Sequence, residues 1–388
     1  MGHKEKHAYR QAIQERYQKA SRKDKKHILD EFCAVCRYNR KYAIRLLHQS
    51  LWCRKRKRGR KSHYSDPVFL KAILGIWRAT DFMCSYRLKA AIPLWLPFYE
   101  QSFGRLAAEV HDKLLAISRP TLDRVLKPLR ARYRKGLSGT KPGSMLRNQI
   151  PIRTDNWDIT RPGFMEADTV AHCGNSLAGD FVWSLIMTDI HTAWTECRAV
   201  WNKGADDVVG QVKDIEHNLP FELFGFDCDN GSEFLNYHLV RYFADRKKPV
   251  GLTRSRPYKK NDNAHVEQKN WAHPRHLLGY DRINNPALVP LINDLYANQW
   301  SLYQNHFCPS VKLLSKTRIG SRYRKAYDDP LTPFQRVMNS PDVSQEKKMQ
   351  LSKIHTELNP FSLKDAIERK LKAIFKQVLV TSFVRRRL

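Results

Sequence analysis

Long apolar runs are what this 388-residue chain most plainly lacks. The longest, Ala90 to Phe98, is short and broken by Pro93 and Pro97, whereas a bilayer span needs roughly 20 consecutive apolar residues. No membrane partner is expected. The opening MGHKEKHAYRQ has no apolar core, so no secretory signal is expected either. Cysteine is sparse: eight are scattered through the chain with no spacing that reads as a disulfide framework. A reducing cytoplasm is the natural setting. Internal repeats are missing too. Negative charge is the scarcest commodity, with 38 Asp and Glu against 69 Lys and Arg and a formal net charge of +31. Yet 42% of residues are hydrophobic, which suits a folded protein, and the length calls for two to four domains.

The charge is unevenly placed. Residues 1–150 hold 35 Lys and Arg against 11 Asp and Glu, residues 151–300 hold 16 against 20, and residues 301–388 hold 18 against 7. A neutral-to-acidic middle is flanked by two basic arms. An excess this large argues for a polyanionic partner, with nucleic acid the default. A ribosomal or other RNA-binding protein would satisfy the same arithmetic.

The first arm reads as helical. In KDKKHILDEFCAVCRYNRKYAIRLLHQS, Ile28, Leu29, Phe32 and Val35, then Ala43, Ile44, Leu46 and Leu47, fall at helical spacing on either side of a polar RYNR break. Two short helices with a tight turn, the second basic, make a helix-turn-helix candidate over residues 1–62. A plain helical hairpin fits the pattern equally well. Arg54, Lys55, Arg56, Lys57, Arg58, Arg60 and Lys61 follow as a basic run suited to phosphates. Ser65-Asp66-Pro67 then caps a new helix. Residues 63–135 form a second helical DNA-binding candidate, with Arg119 and Arg124 beside an apolar line of Leu122, Val125 and Leu126. Residues 136–163 are rich in Gly, Pro and small polar residues, the composition of a linker.

Residues 164–300 change character. FMEADTV and DFVWSLIMTDIHTAWTECRAVW predict three successive strands, the last two turning near Thr192. Helix, strand, helix, strand and helix follow, ending in NDNAHVEQKNWA. Such a mixed α/β sheet, in a ribonuclease-H-like arrangement, has its first and fourth strands adjacent. Asp168 on the first strand would then lie beside Asp229 at the end of the fourth, and the last helix could bring Glu267 over them. Converging carboxylates repel and raise one another's pKa. Mg²⁺ removes that conflict, and a pair of such ions roughly 4 Å apart suits in-line phosphoryl displacement. Three surface acids on an ordinary α/β domain remain the plain alternative. Asp227, two residues before Asp229 on the same strand face, competes with it.

DNGSEF after an apolar strand, followed some 35 residues later by AHVEQKN, resembles the second and third acidic motifs of the integrase-core DDE family, and FMEADTV resembles the first. That family includes bacterial insertion-sequence transposases and retroviral integrases. The likeness is strongest over residues 155–280, and the stretches YQKASRKDKKHILDEF, RKYAIRLL, TKPGSMLRNQIPIRT and GYDRI extend it towards bacterial transposases. It implies a ribonuclease-H-like catalytic domain in which Asp168, Asp229 and Glu267 bind two Mg²⁺ or Mn²⁺. It also implies cleavage at element ends, strand transfer into target DNA, and a homo-oligomer on paired ends in a bacterial cytoplasm, at the nucleoid when DNA-bound. Gly231 would allow the turn after Asp229, with Asn230 supporting it. Arg254, Arg256, Lys259 and Lys260 would hold scissile-strand phosphates, joined by Lys269 and Asn270. Glu233 reads as a helix N-terminal charge. Pro274 departs from a continuous helix seven residues past Glu267, and a bend there is preferred to impaired catalytic geometry.

His3, His7, Cys33 and Cys36 have the types and spacing of a zinc site, but Cys33 and Cys36 also fit the inward face of a helix. Zinc is not expected. His172 and Asp189 read as turn residues. The small basic region 301–388 holds a strand-like stretch and an amphipathic helix from Ser362, for which DNA contact, self-association and packing on the catalytic domain are all open. The rival functions are an inactive or domesticated DNA-binding regulator and a structure-specific nuclease of the same superfold.

Overall fold

The computed structural model of the chain describes residues 2–49, 63–130, 159–228, 233–234, 237–254, 266 and 269–385. Residues 1–63 and 64–388 form two compact units.

The first unit is three helices: α1 (His3–Lys19), α2 (Arg22–Cys36) and α3 (Arg40–His48). The Ser21 hydroxyl caps α2 by accepting from the Asp24 N–H, and Arg37 ends it in the left-handed conformation, φ 54°. Two residues on, the Asn39 side chain accepts from the Lys41 N–H and starts α3. The helices close over Leu29, Phe32, Cys36, Ala43 and Leu47. Val35 and Ile44 were expected on this apolar stripe but are exposed. The inward line of α2 is narrow and runs Ile28, Leu29, Phe32, Cys36.

In the second unit α4 (Pro67–Ala79) starts at Asp66, whose carboxylate accepts from the Val68 N–H. It is followed by α5 (Ser85–Phe103), α6 (Ala108–Ala116) and α7 (Arg119–Arg130). α5 continues through Pro93 and Pro97, held by the burial of Trp95, Leu96 and Tyr99. These helices share one continuous core with the sheet that follows.

That sheet consists of β1 (Phe164–Ala171), β2 (Val182–Asp189), β3 (Thr195–Trp201), β4 (Gly225–Cys228) and β5 (Gly251–Arg254), in the order β3-β2-β1-β4-β5. β1, β2 and β3 pair antiparallel, whereas β4 is parallel to both β1 and β5. The first and fourth strands are therefore neighbours. α8 (Ala205–Asn218) and α9 (Tyr237–Ala244) carry the crossovers. They cover the face bearing Met165, Ala167, Phe226 and Cys228. The opposite face meets α4–α7 and the C-terminal helices through Val170, Ile186, Trp95 and Trp300.

A π-helical turn, Trp271–Arg275, leads into α10 (His276–Leu278). Pro274 lies within this turn, the bend anticipated from sequence. α11 (Leu288–Leu295) continues through a second π turn into α12 (Ser301–Phe307). This helical run seals the sheet edge. Asn293 bonds the N–H and carbonyl of Ala199, and Asn305 does the same for Thr195, at 2.6–3.0 Å. Two amides thus imitate the missing neighbour strand of β3. A hairpin, β6 (Leu313–Ile319) and β7 (Arg322–Tyr327), precedes α13 (Pro333–Asn339), α14 (Gln345–Glu357) and α15 (Pro360–Arg385). Among the described residues no helix is long and apolar enough to cross a membrane.

Gly163 fixes where β1 meets β4. Its carbonyl accepts from the Phe224 and Gly225 N–H groups, and its N–H donates to Asp189 at 2.8 Å. At φ +109° a side chain is strained, and a Cβ would stand 2.2 Å from the Glu222 carbonyl oxygen. Gly163→Ala is expected to lower stability by about 2–5 kcal/mol, combining backbone strain with overpacking. Urea unfolding followed by tryptophan fluorescence checks this; an unchanged midpoint refutes it.

Candidate active site

Residues two apart on a strand share a face, so Glu166, Asp168 and Val170 look the same way along β1. Val170 and Val266 both belong to the core on that face. The parallel register sets Glu166 opposite Asp227 and Ala167 opposite Cys228. The last pair stops one residue short of Asp168 on one strand and of Asp229 on the other.

Glu166 is fully buried, and its Oε2 accepts from the Val266 N–H at 2.9 Å. Asp168 is half-buried. Its Oδ1 accepts from the Thr169 N–H at 2.7 Å and its Oδ2 from the Asn270 side-chain amide at 2.6 Å. Glu267 itself lies outside the described residues, as do Asp229, Asn230 and Gly231. Its immediate predecessor Val266 and its near successor Asn270 are nevertheless both fastened to β1, two residues apart on one face. Asn270 was anticipated as a supporting residue. Glu166 was not, although its place in MEAD, two before Asp168, was the available signal.

Asp227 is also buried, and its Oδ1 accepts from the Thr253 hydroxyl at 2.6 Å. On the other side of β1, Thr169 donates to Glu233 at 3.0 Å, and Lys203 pairs with the same carboxylate. Burial pushes Glu233 up, but the Lys203 bond and charge outweigh it and hold the carboxyl below its ordinary value. Glu233 lies in a turn four residues before α9 begins. It is an ion-pair partner there and does not stand in the first turn of α9.

Lys269, expected on DNA, lines a cavity of about 220 Å³ with Arg87, Thr188, Asp189, Asn305 and Lys312. Burial lowers its amine to about 8, and the Arg87 and Arg336 charges push the same way. Arg119 and Arg124 are exposed on α7, the first over the Tyr86 ring at 4.4 Å and the second donating to the Thr121 hydroxyl at 3.1 Å. Arg254 ends β5 opposite Cys228. The basic run from Arg54 to Lys61 (Lys55, Arg56, Lys57, Arg58 and Arg60 included) lies outside the described residues, as do Arg256, Lys259 and Lys260.

Asp189 is the turn residue expected, accepting from Gly163 and from both the N–H and hydroxyl of Thr192. His172 is not a turn residue. It is fully buried after β1, its Nε2 bonded to the Ser184 hydroxyl at 2.8 Å, and burial lowers it to about 3. Ser184 in turn bonds the Tyr296 hydroxyl. Among the described residues no three His, Cys, Asp or Glu side chains are grouped as metal ligands. Cys36 sits in the core of the first unit, with its thiol raised by burial.

The strand order and the acids on β1 define a mixed α/β domain whose first and fourth strands are neighbours. By sequence the chain is 42% identical over 335 residues to the uncharacterized protein y4rM of Sinorhizobium fredii (strain NBRC 101917 / NGR234), covering 84% of this chain and 93% of that protein. The chain belongs to the same family as y4rM. No family model matches it. Solved structures with partial likeness include the catalytic core domain of BIV integrase, at TM-score 0.24, 14% identity, and 30% of this chain and 70% of that one. Another is a simian T-cell lymphotropic virus intasome in complex with PP2A regulatory subunit B56 gamma, at TM-score 0.34, 13% identity, and 64% and 76% of the two chains. At these scores the likenesses add nothing to the strand order.

Replacing Glu166 by Leu frees the Val266 N–H. A hydrogen bond to a charged group contributes about 1.5–3 kcal/mol, so exchange at Val266 should quicken roughly ten- to a hundredfold, with Glu166→Gln falling between. Hydrogen exchange read by mass spectrometry would contradict the anchor if the Leu variant matched the parent. For Lys269, the unfolded chain holds a proton between about 8 and the ordinary 10.5 that the folded chain has released. This contribution to stability therefore grows as pH rises through that window. Urea midpoints of Lys269→Met should show a shallower rise from pH 8 to 10 than the parent; parallel curves would exclude a buried amine.

Proposed function

We propose that the protein is a metal-dependent DNA transposase, acting on the ends of a mobile element by cleavage and strand transfer. The observation that carries the reading is the double fastening of the Glu267 segment to β1, through Val266 to Glu166 and through Asn270 to Asp168. It keeps a third acid's chain neighbours close to Asp168. Asp229 enters from the sequence: it follows Cys228, which pairs with Ala167 beside Asp168.

Asp168, Asp229 and Glu267 offer a set of hard carboxylate oxygens, the donor chemistry that suits Mg²⁺ or Mn²⁺. Two such ions, when bound, would neutralise the phosphate and the attacking and leaving oxygens. The residues around them do the positioning. Asn270 fixes one oxygen of Asp168, while Glu166 holds the backbone N–H of Val266, the residue before Glu267. In the first step water adds to phosphorus and the 3′ oxygen leaves with a proton. In the second, that 3′-OH attacks a target phosphodiester and expels another 3′ oxygen, so the number of phosphodiester bonds is conserved. Paired element ends imply at least two copies on DNA. A domesticated regulator would need none of these acids, and the structural care taken around Asp168 favours the enzyme.

Asp168→Asn should retain DNA binding and lose nicking and joining of element-end DNA by at least about a thousandfold, because one charged ligand of the phosphoryl-transfer site is gone. Gel assays with Mg²⁺ and a plasmid target measure both. Equal residual activity in parent and variant would overturn the proposal.

A further inference from the structure

The hairpin β6–β7 stands uncovered. Every residue of β7 is exposed, and so are Leu314, Ser315 and Thr317 to Ile319 on β6. A lone two-stranded ribbon is at best marginally stable in water, and this one has apolar side chains in the open: Leu314 is 68% and Ile319 59% exposed. Its charge is one-sided. Residues 313–327 carry Lys316, Arg318, Arg322, Arg324 and Lys325 and not one acid. The register makes matters worse for the isolated ribbon, since Lys316 and Lys325 are directly opposite partners, and opposed like charges destabilise a pair. The nearest following carboxylate, Asp328 at the base, is engaged by Arg336 and the Lys312 N–H. Cations stand on both faces. Arg322 and Arg324 share one with Thr317 and Ile319, and Arg318 and Lys325 share the other with Tyr323.

We infer that this ribbon is a DNA-binding element that enters a groove of the duplex and contacts phosphates on both sides of it. The inference rests on the reading of the protein as one that acts on DNA, and adds a surface remote in sequence from the acids. Two strands lie about 4.8 Å apart, and the major groove, about 12 Å wide, admits a two-stranded ribbon. Cations on both faces match the two phosphate walls, and the exposed Tyr323 and Ile319 lie where sugar and base edges would be met. A second copy of the chain is the poorer occupant. Ribbons bearing five cations and no acid repel one another, and basic residues blunt edge-to-edge pairing.

Salt dependence tests it in the full chain. Each phosphate neutralised adds about −0.9 to the slope of log K against log salt. Binding of a fluorescein-labelled random duplex is followed by anisotropy from 50 to 300 mM KCl (roughly the range where such slopes are read). Arg322→Gln/Arg324→Gln/Lys325→Gln should make the slope shallower by about 2–3 and weaken binding at least tenfold at the low-salt end. Arg322→Lys/Arg324→Lys keeps the charge and should keep the slope, which separates charge from damage to the ribbon. An unchanged slope in the Gln variant overturns the inference, as does a change of sedimentation mass with DNA binding intact, which would make the ribbon a self-association surface. The two readings fail separately: equal nicking by the parent and Asp168→Asn with a normal salt slope sinks only the catalytic reading, whereas a parent that binds no duplex sinks both.

Discussion

A single buried carboxylate, that of Glu166, governs how the candidate site is assembled. A buried charge is costly unless it is hydrogen-bonded, and this one accepts from a backbone N–H one hundred residues further along the chain. The bond converts an unfavourable group into a positional constraint. The backbone at Val266 must sit over β1, because moving away would strand the acid in a core of Val170, Ile186 and Val266 itself. Asn270 adds a second constraint one turn later. Together they fix Val266 and Asn270 to the same face of β1.

That constraint works only because β1 is central. It is flanked by β2 on one side and by β4 on the other, so both of its edges are paired and its register cannot slip without moving every side chain to the wrong face. Gly163 begins the parallel pairing and Asp189 steadies Gly163 from the end of β2. At the far edge, Asn293 and Asn305 tie β3 to the α11–α12 run. Val266 and Asn270 are thus held between a sheet sealed at one edge and helices that share its core.

Much of this was legible in the sequence. Apolar alternation in FMEADTV and FVWSLIMTD marks strands directly, and Asp168 falls on the expected one. Pro274 announced the break that appears as a π turn, since proline cannot donate the helical bond. What periodicity cannot tell is which element covers a face. The helices from 67 to 130 have stripes that would serve equally in a domain of their own, yet they close on the sheet. For the same reason Val35 and Ile44 looked inward and are exposed. Glu166 escaped, as did the partners of Asp227 and Glu233, because a carboxylate reads as surface in one dimension. Only the register shows that Glu166 meets a backbone N–H, Asp227 a threonine hydroxyl and Glu233 a lysine. The ribbon's RYRKAY reads as strand-like, but its lack of cover is a property of the fold.

The distribution of charge now has a physical logic. A phosphate chain is drawn to cations and repelled by carboxylates, so a site built on acids needs its attraction supplied elsewhere. Within the second unit Arg119, Arg124 and Lys127 on α7 and Arg318, Arg322, Arg324 and Lys325 on β6–β7 are exposed, whereas the acids on the site face of β1 and β4 are buried or half-buried and individually bonded. The acids are held by neutral donors from Thr253, Asn270 and Val266, which fix their geometry, while long-range attraction for a phosphate chain is left to exposed arginines and lysines. Attraction is therefore spread over surfaces that need no precise geometry, and geometry is concentrated where the carboxylates are fixed by hydrogen bonds to the sheet's own covering chain.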